Sequence, residues 1–575
     1  MKLIEALQIA QAPPAEGKPF RVYLACGFMP LHLHTFLRAH LRQRLPDRPV
    51  EVECGLFGDL PANLERAIAL RFDATAVTIE WTDLDPRLGF RQLGRWRPSD
   101  LPDIAGRTRA RLAQILDSVR RLAAATSVAV SAPTLPLPPV SHAPRWQASA
   151  WEAGLRADVA AFVAEATATA GVRVVGAPEL DERVPPAARL DVKSEVHSGH
   201  PYRVTLDDVL GDLLARLIVP PERKKGLITD LDDTLWSGLV GEAGPEGVSW
   251  DLASGTAAHG RYQQLLDALA AAGVLIAAAS KNDADTVERA LRRRDLLIDE
   301  QQIHPREVHW GPKSESVGRV LRAWNVGPES VVVVDDAAIE LAEVQAAHPA
   351  VTCLRFPAGD EAAVQALLVE LRDLFGKETL SEEDALRAES VRNAGRLEAV
   401  AAGSHEAFLG ELDGVLRFEP VNGARDARPL ELVNKTNQFN LNGRRYTESD
   451  WRTQLASLER FTWVASYSDR FGPLGKIALI AGRRDGEALQ VDTWVMSCRA
   501  FSRRIEHHCV ERLFADFGVA RIEFDFVPTE RNRALQEFFA ELLGTAPAAP
   551  VRLEREHFRE SCPPLYHRID GVPHG

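Results

Sequence analysis

Residues 226–238, GLITDLDDTLWSG, run from an apolar stretch straight into three carboxylates, Asp230, Asp232 and Asp233, with Thr234 behind them. Leu227 and Ile228 read as a short buried strand, so the acids arrive where that strand leaves its sheet. Clustered carboxylates repel one another unless a positive charge sits among them. A lone Asp-x-Asp is usually a solvated loop, but three further strand ends accompany this one. VLIAAAS delivers Ser280, with Lys281 and Asn282 behind it; HWGPKSES delivers Lys313; SVVVVDD delivers Asp335 and Asp336. Together they supply what phosphoryl transfer requires. A carboxylate can attack phosphorus, a hard divalent cation held by further carboxylates offsets the repulsion, and hydroxyl and ammonium groups hold the phosphoryl oxygens. Asp230 is the expected nucleophile, and Asp232 the group that protonates the leaving oxygen and then activates water. The expected Mg²⁺ ligands are Asp230, Asp232, Asp335 and Asp336. The expected phosphate-binding residues are Thr234, Ser280, Lys281, Asn282 and Lys313.

These groups meet only if their strands lie parallel in one sheet with their carboxyl ends on one edge. The pattern predicts an α/β protein of three domains. Residues 1–215 alternate the strand-like runs RVYLACGF, ATAVTIEW, SVAVSAP and VRVVGAP with helical stretches, as in a flavodoxin-like parallel sheet. Residues 216–378 form the second α/β domain and carry the acidic cluster. Only about 45 residues separate Thr234 from Ser280, which leaves no room there for a large cap. Residues 379–405 read as a charged helical linker. Residues 406–556 hold the strands FTWVASYSD, GKIALIAG, ALQVDTWVM and ARIEFDFVP with the helices SRRIEHHCVERLFADFG and ERNRALQEFFAELLG; residues 557–575 read as a tail.

At 575 residues the chain is too long for one ordinary core, and 45% hydrophobic with 26% charged residues is a globular composition. A net charge of −13 argues against general nucleic-acid binding, which needs concentrated Lys and Arg. No apolar run approaches the roughly 20 residues that span a bilayer, and the first residues lack a signal-peptide pattern. The six cysteines are scattered without a CxxC pair. A cytoplasmic protein with free thiols and no membrane partner is expected.

The ordered motifs Asp-x-Asp-x-Thr, Ser, Lys and Asp-Asp resemble those of the haloacid dehalogenase superfamily. DLDDTLWSGLVGE, SKND and VDDAAIE together resemble its FkbH-like subfamily, as do LVNKTNQFNLNGRRYTESD, YSDRFGPLGKIALI and DTWVMSCRAFSRRIEHH nearer the C-terminus. The resemblance covers residues 205 to 545 or so. It implies a bifunctional glyceryltransferase and phosphatase. A protein thiol takes the phosphoglyceryl group of 1,3-bisphosphoglycerate as a thioester, the 3-phosphate is removed, and the glyceryl unit passes to the phosphopantetheine thiol of an acyl carrier protein in polyketide biosynthesis. One departure is that Ala337 and Ala338 stand where the family usually has Asn-Pro; Glu340 remains.

For the thiol, Cys498 closes a strand and precedes Arg499, Arg503, Arg504 and a helix, a setting that favours a thiolate and attracts an anionic donor or an acidic carrier. Cys26 is the alternative, without adjacent cations. His507 or His508 is the candidate base, although an exposed helical histidine is the ordinary fate of either. Asn434, Lys435, Asn437, Gln438, Arg499 and Arg503 are candidate contacts for acyl or phosphate oxygens. The C-terminal domain is similar to the GNAT acyltransferases, but RAFSRR replaces their Gly-rich pyrophosphate loop. The N-terminal domain is similar to SGNH hydrolases, yet lacks Gly-Asp-Ser and has His197 six residues after Asp191, so it is expected to be non-catalytic. Competing readings are a Mg²⁺-dependent phosphatase for another substrate, a coenzyme A-dependent acyltransferase, and a non-catalytic assembly protein.

Overall fold

In the parallel sheets the apolar runs alternate between two buried faces, which is why the strands are apolar throughout rather than every second residue. The computed structural model describes all residues except 14–15, 92, 94, 378–404, 422, 424–425, 471, 498–499, 502, 548 and 571–575. Cys498, Arg499 and nearly all of the expected linker therefore lie outside the described residues. The chain divides into two compact units, Met1–Pro221 with Tyr446–Thr453, and Glu222–Arg445 with Gln454–Gly575.

The first unit is built on β1 (Phe20–Cys26), β2 (Val50–Cys54), β3 (Ala74–Thr78), β4 (Ser127–Ser131) and β5 (Val172–Val174), all parallel in the order β2-β1-β3-β4-β5. Tyr23, Ala25, Val77, Val128 and Val130 pack into one core, and Val22, Leu24, Ala76 and Ala129 into another on the opposite face. The helix Ala150–Thr167 starts where Ser149 Oγ accepts from the Glu152 amide, an N-cap that satisfies one of the helix's free donors.

The second unit contains two sheets. The parallel one comprises β6 (Gly226–Thr229), β7 (Leu275–Ser280), β8 (Ile303–Val308), β9 (Val331–Asp335) and β10 (Thr352–Arg355) in the order β10-β9-β6-β7-β8. Leu227, Ile276, Val332 and Val334 face one core while Ile228, Leu275, Val331 and Val333 face the other. The sequence grows outward from β6 in both directions, so the crevice beside β6 is the topological switch point.

The other sheet is mixed and has seven strands: β11 (Val415–Pro420), β12 (Arg460–Asp469), β13 (Gly472–Asp485), β14 (Ala488–Met496), β15 (Arg521–Phe524), β16 (Val551–Glu554) and β17 (Arg568–Asp570), in the order β16-β15-β14-β13-β12-β11-β17. The helices Ile505–Phe517 and Arg533–Leu543 cover it through Val510, Leu513, Phe538 and Phe539. The expected tail is instead structured through residue 570. Phe558 is buried in this core and Val415–Arg417 pairs in parallel with Arg568–Asp570, because an edge strand still has unpaired amides and carbonyls to satisfy. No described helix is long and apolar enough to cross a membrane.

Candidate active site

The ladder of β6 continues one residue past its end, where the Asp230 amide donates to Val334 O at 2.9 Å. The chain then turns sharply. Asp233 adopts a left-handed conformation, φ 49°, which Asp tolerates better than most residues, and its carboxylate accepts from the Gly238 amide at 2.8 Å. This turn folds Trp236 and Val240 back onto Asp232, whose Oδ1 accepts from Trp236 Nε1 at 2.8 Å and from the Val240 amide at 3.0 Å. Asp232 Oδ2 accepts from Asn282 Nδ2 at 3.0 Å, and the same amide group reaches Ser280 Oγ at 3.0 Å. The ends of β6 and β7 are thereby locked together.

Asp230, Asp335 and Asp336 each bring one carboxylate oxygen to within 4.8 Å of the others. Asp232, expected as a fourth metal ligand, is not among them; its oxygens are turned to Trp236, Val240 and Asn282. Thr234 is fully buried; its Oγ1 accepts from the Asp336 amide at 3.1 Å, so it holds the acidic pair in position rather than facing a substrate. Lys313, 3% exposed, places Nζ 3.0 Å from Asp230 Oδ1 and 2.6 Å from Glu340 Oε2, and also bonds Asp335. Lys281 meets the other oxygen of Glu340 at 3.1 Å. Glu340 thus bridges two lysines that sequence reasoning assigned to phosphate alone, and its signal was its place in the first turn after the Asp335–Asp336 pair.

The electrostatics follow from three carboxylates sharing one ammonium. Burial pushes Asp230 up to about 7, with Lys313 opposing and Asp335 adding to the rise. Burial also raises Asp336, helped by Asp335 and Asp233. Lys313 is held protonated: burial works against its charge, but Asp230 and Asp335 outweigh that. Such a crowd of oxygens with too little positive charge is a donor set for a hard divalent cation.

No protein-family model matches this chain, and no curated protein matches it. Among solved structures, it is similar to the crystal structure of the N-terminal part of the protein BF1531 from Bacteroides fragilis, which contains a phosphatase domain and is complexed with Mg. The identity is 17% and the TM-score 0.49, over 66% of this chain and 100% of that one.

The acyl-transfer residues expected in the C-terminal part are dispersed in role. Phe439–Leu441 runs antiparallel beside Trp494–Met496, the end of β14, so the amide-rich segment adjoins the strand that leads towards residue 498. Within it Asn437 Oδ1 accepts from Arg445, Lys435 pairs with Glu431 at 3.0 Å, and Asn434 and Gln438 are half-buried. Arg503 faces the buried Asp469 at 3.5 Å, and Arg504 bonds Glu406 and Pro564 O, so neither projects freely as a docking cation. His507 and His508 differ from the exposed histidines expected. They are 3% and 4% exposed, with Glu506 3.6 Å from His507 Nδ1 and Glu511 3.5 Å from His508 Nδ1. The helix turns this side onto Phe538 and onto His567, whose basicity burial and His508 depress to about 3.

In the first unit, Asp191 caps the helix Val192–Ser198 and His197 is exposed. Histidine and aspartate pair there instead as His200 with Asp207, at 3.0 Å, and as His40 with Asp208, at 2.8 Å; the other ring nitrogen of His200 bonds Met29 O. With both nitrogens occupied it has no lone pair to offer a substrate. Cys26 is buried with its thiol on Phe28 O, and burial pushes it well away from a thiolate.

Proposed function

We propose that the parallel sheet of the second unit carries a Mg²⁺-dependent phosphatase of the haloacid dehalogenase type. The observation that supports this best is the convergence of Asp230, Asp335 and Asp336 around Lys313 at a topological switch point. A Mg²⁺ held by those three carboxylates would neutralise the charge that otherwise repels a phosphate.

The rest of the reaction falls to the chain's own groups. An Asp230 oxygen attacks phosphorus, and the bond to the leaving oxygen breaks as that oxygen takes a proton from Asp232. Asp232 Oδ2 carries one hydrogen bond in the structure and has a lone pair left for that proton. Water then gives a proton to Asp232 and attacks the aspartyl phosphate, releasing inorganic phosphate and the free Asp230 carboxylate. Ser280 Oγ and Lys281 line the expected path of the phosphoryl oxygens. Phosphate release from a phosphomonoester that requires Mg²⁺ and disappears in Asp230→Asn is the expected result; unchanged release in that variant would sink the assignment.

For the substrate we infer a phosphoglyceryl thioester. Cys498 would attack the acyl carbon of 1,3-bisphosphoglycerate and expel inorganic phosphate, the 3-phosphate would be hydrolysed, and an acyl carrier protein's phosphopantetheine thiol would take the glyceryl group and free Cys498. Support comes from the two buried imidazoles, His507 and His508, in the helix that follows residue 498; one of them would take the thiol proton. Intact-mass measurement after incubation with Mg²⁺ and enzymatically generated 1,3-bisphosphoglycerate tests it. A phosphoglyceryl adduct should persist on Asp230→Asn, mature to glyceryl on the wild type and be absent from Cys498→Ala. Phosphatase activity without any adduct would leave a phosphatase for another substrate.

A further inference from the structure

Two helices begin side by side at the carboxyl edge of the second unit's parallel sheet, Lys313–Trp324 after β8 and Ala338–Ala347 after β9. Two acids of the second helix tie them together. Glu340 pairs with Lys313 at 2.6 Å, and Glu343 accepts from the amide and Oγ of Ser314 at 3.0 and 2.7 Å. The segment that leads into the first helix is held at both ends by residues of the phosphatase site. The His309 amide donates to Ser280 O at 3.1 Å, and Lys313 Nζ stands 3.0 Å from Asp230 Oδ1.

Trp310 lies on that segment and is 75% exposed; Ile339, next to Glu340, is 81% exposed. Leu239, also exposed, adjoins Val240, whose amide binds Asp232. A single apolar side chain in water is ordinary. These three each stand within three residues of a group that holds the acidic cluster, and none belongs to either core of the sheet. Packing of the fold therefore does not account for their place, and apolar residues gathered at one site are a mark of contact with something else.

In an in-line displacement the leaving oxygen departs on the side of phosphorus opposite the attacking carboxylate. Asp230 attacks from the end of β6, so the leaving group points away from the sheet and has to pass the loops around the mouth. A one-carbon alcohol has no chain to lay on them. A longer chain would lie against the Trp310 ring and Ile339 and take apolar surface out of water on both sides. The neighbouring lysines do not compete for it, since Lys281 and Lys313 are both engaged by Glu340. Resting on the phosphatase reading, we propose that Trp310 and Ile339 form a specificity ledge. It selects phosphomonoesters whose leaving oxygen carries an apolar chain over those of small alcohols.

Methyl phosphate and n-hexyl phosphate test this, because their leaving alcohols are similarly weak acids and differ in chain alone. Phosphate release by the full chain with Mg²⁺ is measured for both esters on the wild type, Trp310→Ala and Ile339→Ser. In the wild type kcat/KM should be about tenfold or more higher for the hexyl ester, and that ratio should fall about threefold or more in each variant. The gain should sit in KM, since a hold on carbons remote from phosphorus is the same in the ground and transition states. A hexyl-to-methyl ratio near one in the wild type, or an unchanged ratio in either variant, would overturn the proposal. Both side chains lie outside the cores; if one variant still failed to fold, the wild-type ratio and the other variant would decide. Absence of Mg²⁺-dependent release from both esters would sink the phosphatase reading and this proposal with it, whereas release without chain preference sinks the proposal alone.

Discussion

Lys313 sets its ammonium 3.0 Å from Asp230 Oδ1 and binds Asp335 and Glu340 with the same nitrogen. One cation therefore serves three carboxylates, two of them buried, and removing one of them has two separable effects. Asp230→Asn should lower phosphate release at least about a thousandfold, since the nucleophile is gone. It should leave the metal-free melting temperature unchanged or higher, since a repelling charge is gone. Turnover and thermal melts on the same preparation check both.

The same crowding predicts a pH signature. Burial raises Asp230 to about 7, above its unfolded value near 4. Its contribution to stability is thus full below the unfolded value and is lost as the pH rises through about 7. Above that, the metal-free protein carries a buried charge that Mg²⁺ would neutralise. The rise in melting temperature from EDTA to Mg²⁺ should be larger at about pH 8 than at about pH 5.5, and this difference should shrink in Asp230→Asn. Glu80 and Asp83 in the first unit are also raised to about 7 by burial, so the baseline falls with pH as well and the Mg²⁺ increment is the quantity to compare.

Lys313→Met leaves those carboxylates without their cation in a dry site. Breaking a buried ionic cluster in this way destabilises by about 3 kcal/mol or more. Urea unfolding in EDTA should register that loss. Saturating Mg²⁺ should restore part of the stability without restoring normal turnover.

Trp236→Phe keeps a ring in the core but removes the Nε1 bond to Asp232 Oδ1. The role assigned to Asp232 is protonation of the leaving oxygen, so the effect should depend on the leaving group. About a tenfold fall in kcat is expected for an alkyl phosphate, from a hydrogen bond to a charged group worth about 1.5 kcal/mol. p-Nitrophenyl phosphate, whose leaving group needs no proton, should be affected much less. Equal losses for both would separate Trp236 from the acid.

Three of the strand ends were legible because each places polar residues directly after an apolar run, a local signal that survives without knowing the fold; Lys313, expected at a fourth, instead opens the helix Lys313–Trp324 five residues beyond the largely polar β8. What those residues hold was not legible. Trp236 and Val240 reach Asp232 only because Asp233 turns the chain through a left-handed conformation, and Thr234 is turned inward by the same bend. His507 and His508 read as surface residues from their charged neighbours, whereas the covering helix and His567 bury them. The Asp191–His197 spacing drew attention in the first unit, but its histidines pair elsewhere, His200 with Asp207 and His40 with Asp208, in no motif. β17 escaped notice because three residues in a Pro-rich stretch carry no alternation, and only the open edge of β11 makes them a strand.

That edge pairing joins Val415–Arg417 to Arg568–Asp570 across most of the C-terminal sequence. Contacts so distant along the chain close late, after the nearer hairpins have formed. During synthesis, β11 must wait with one side bare until residue 570 has been made. The interval is a window for chaperone capture or for mispairing with another nascent chain, and its length is set by the rate of translation rather than by the stability of the finished sheet.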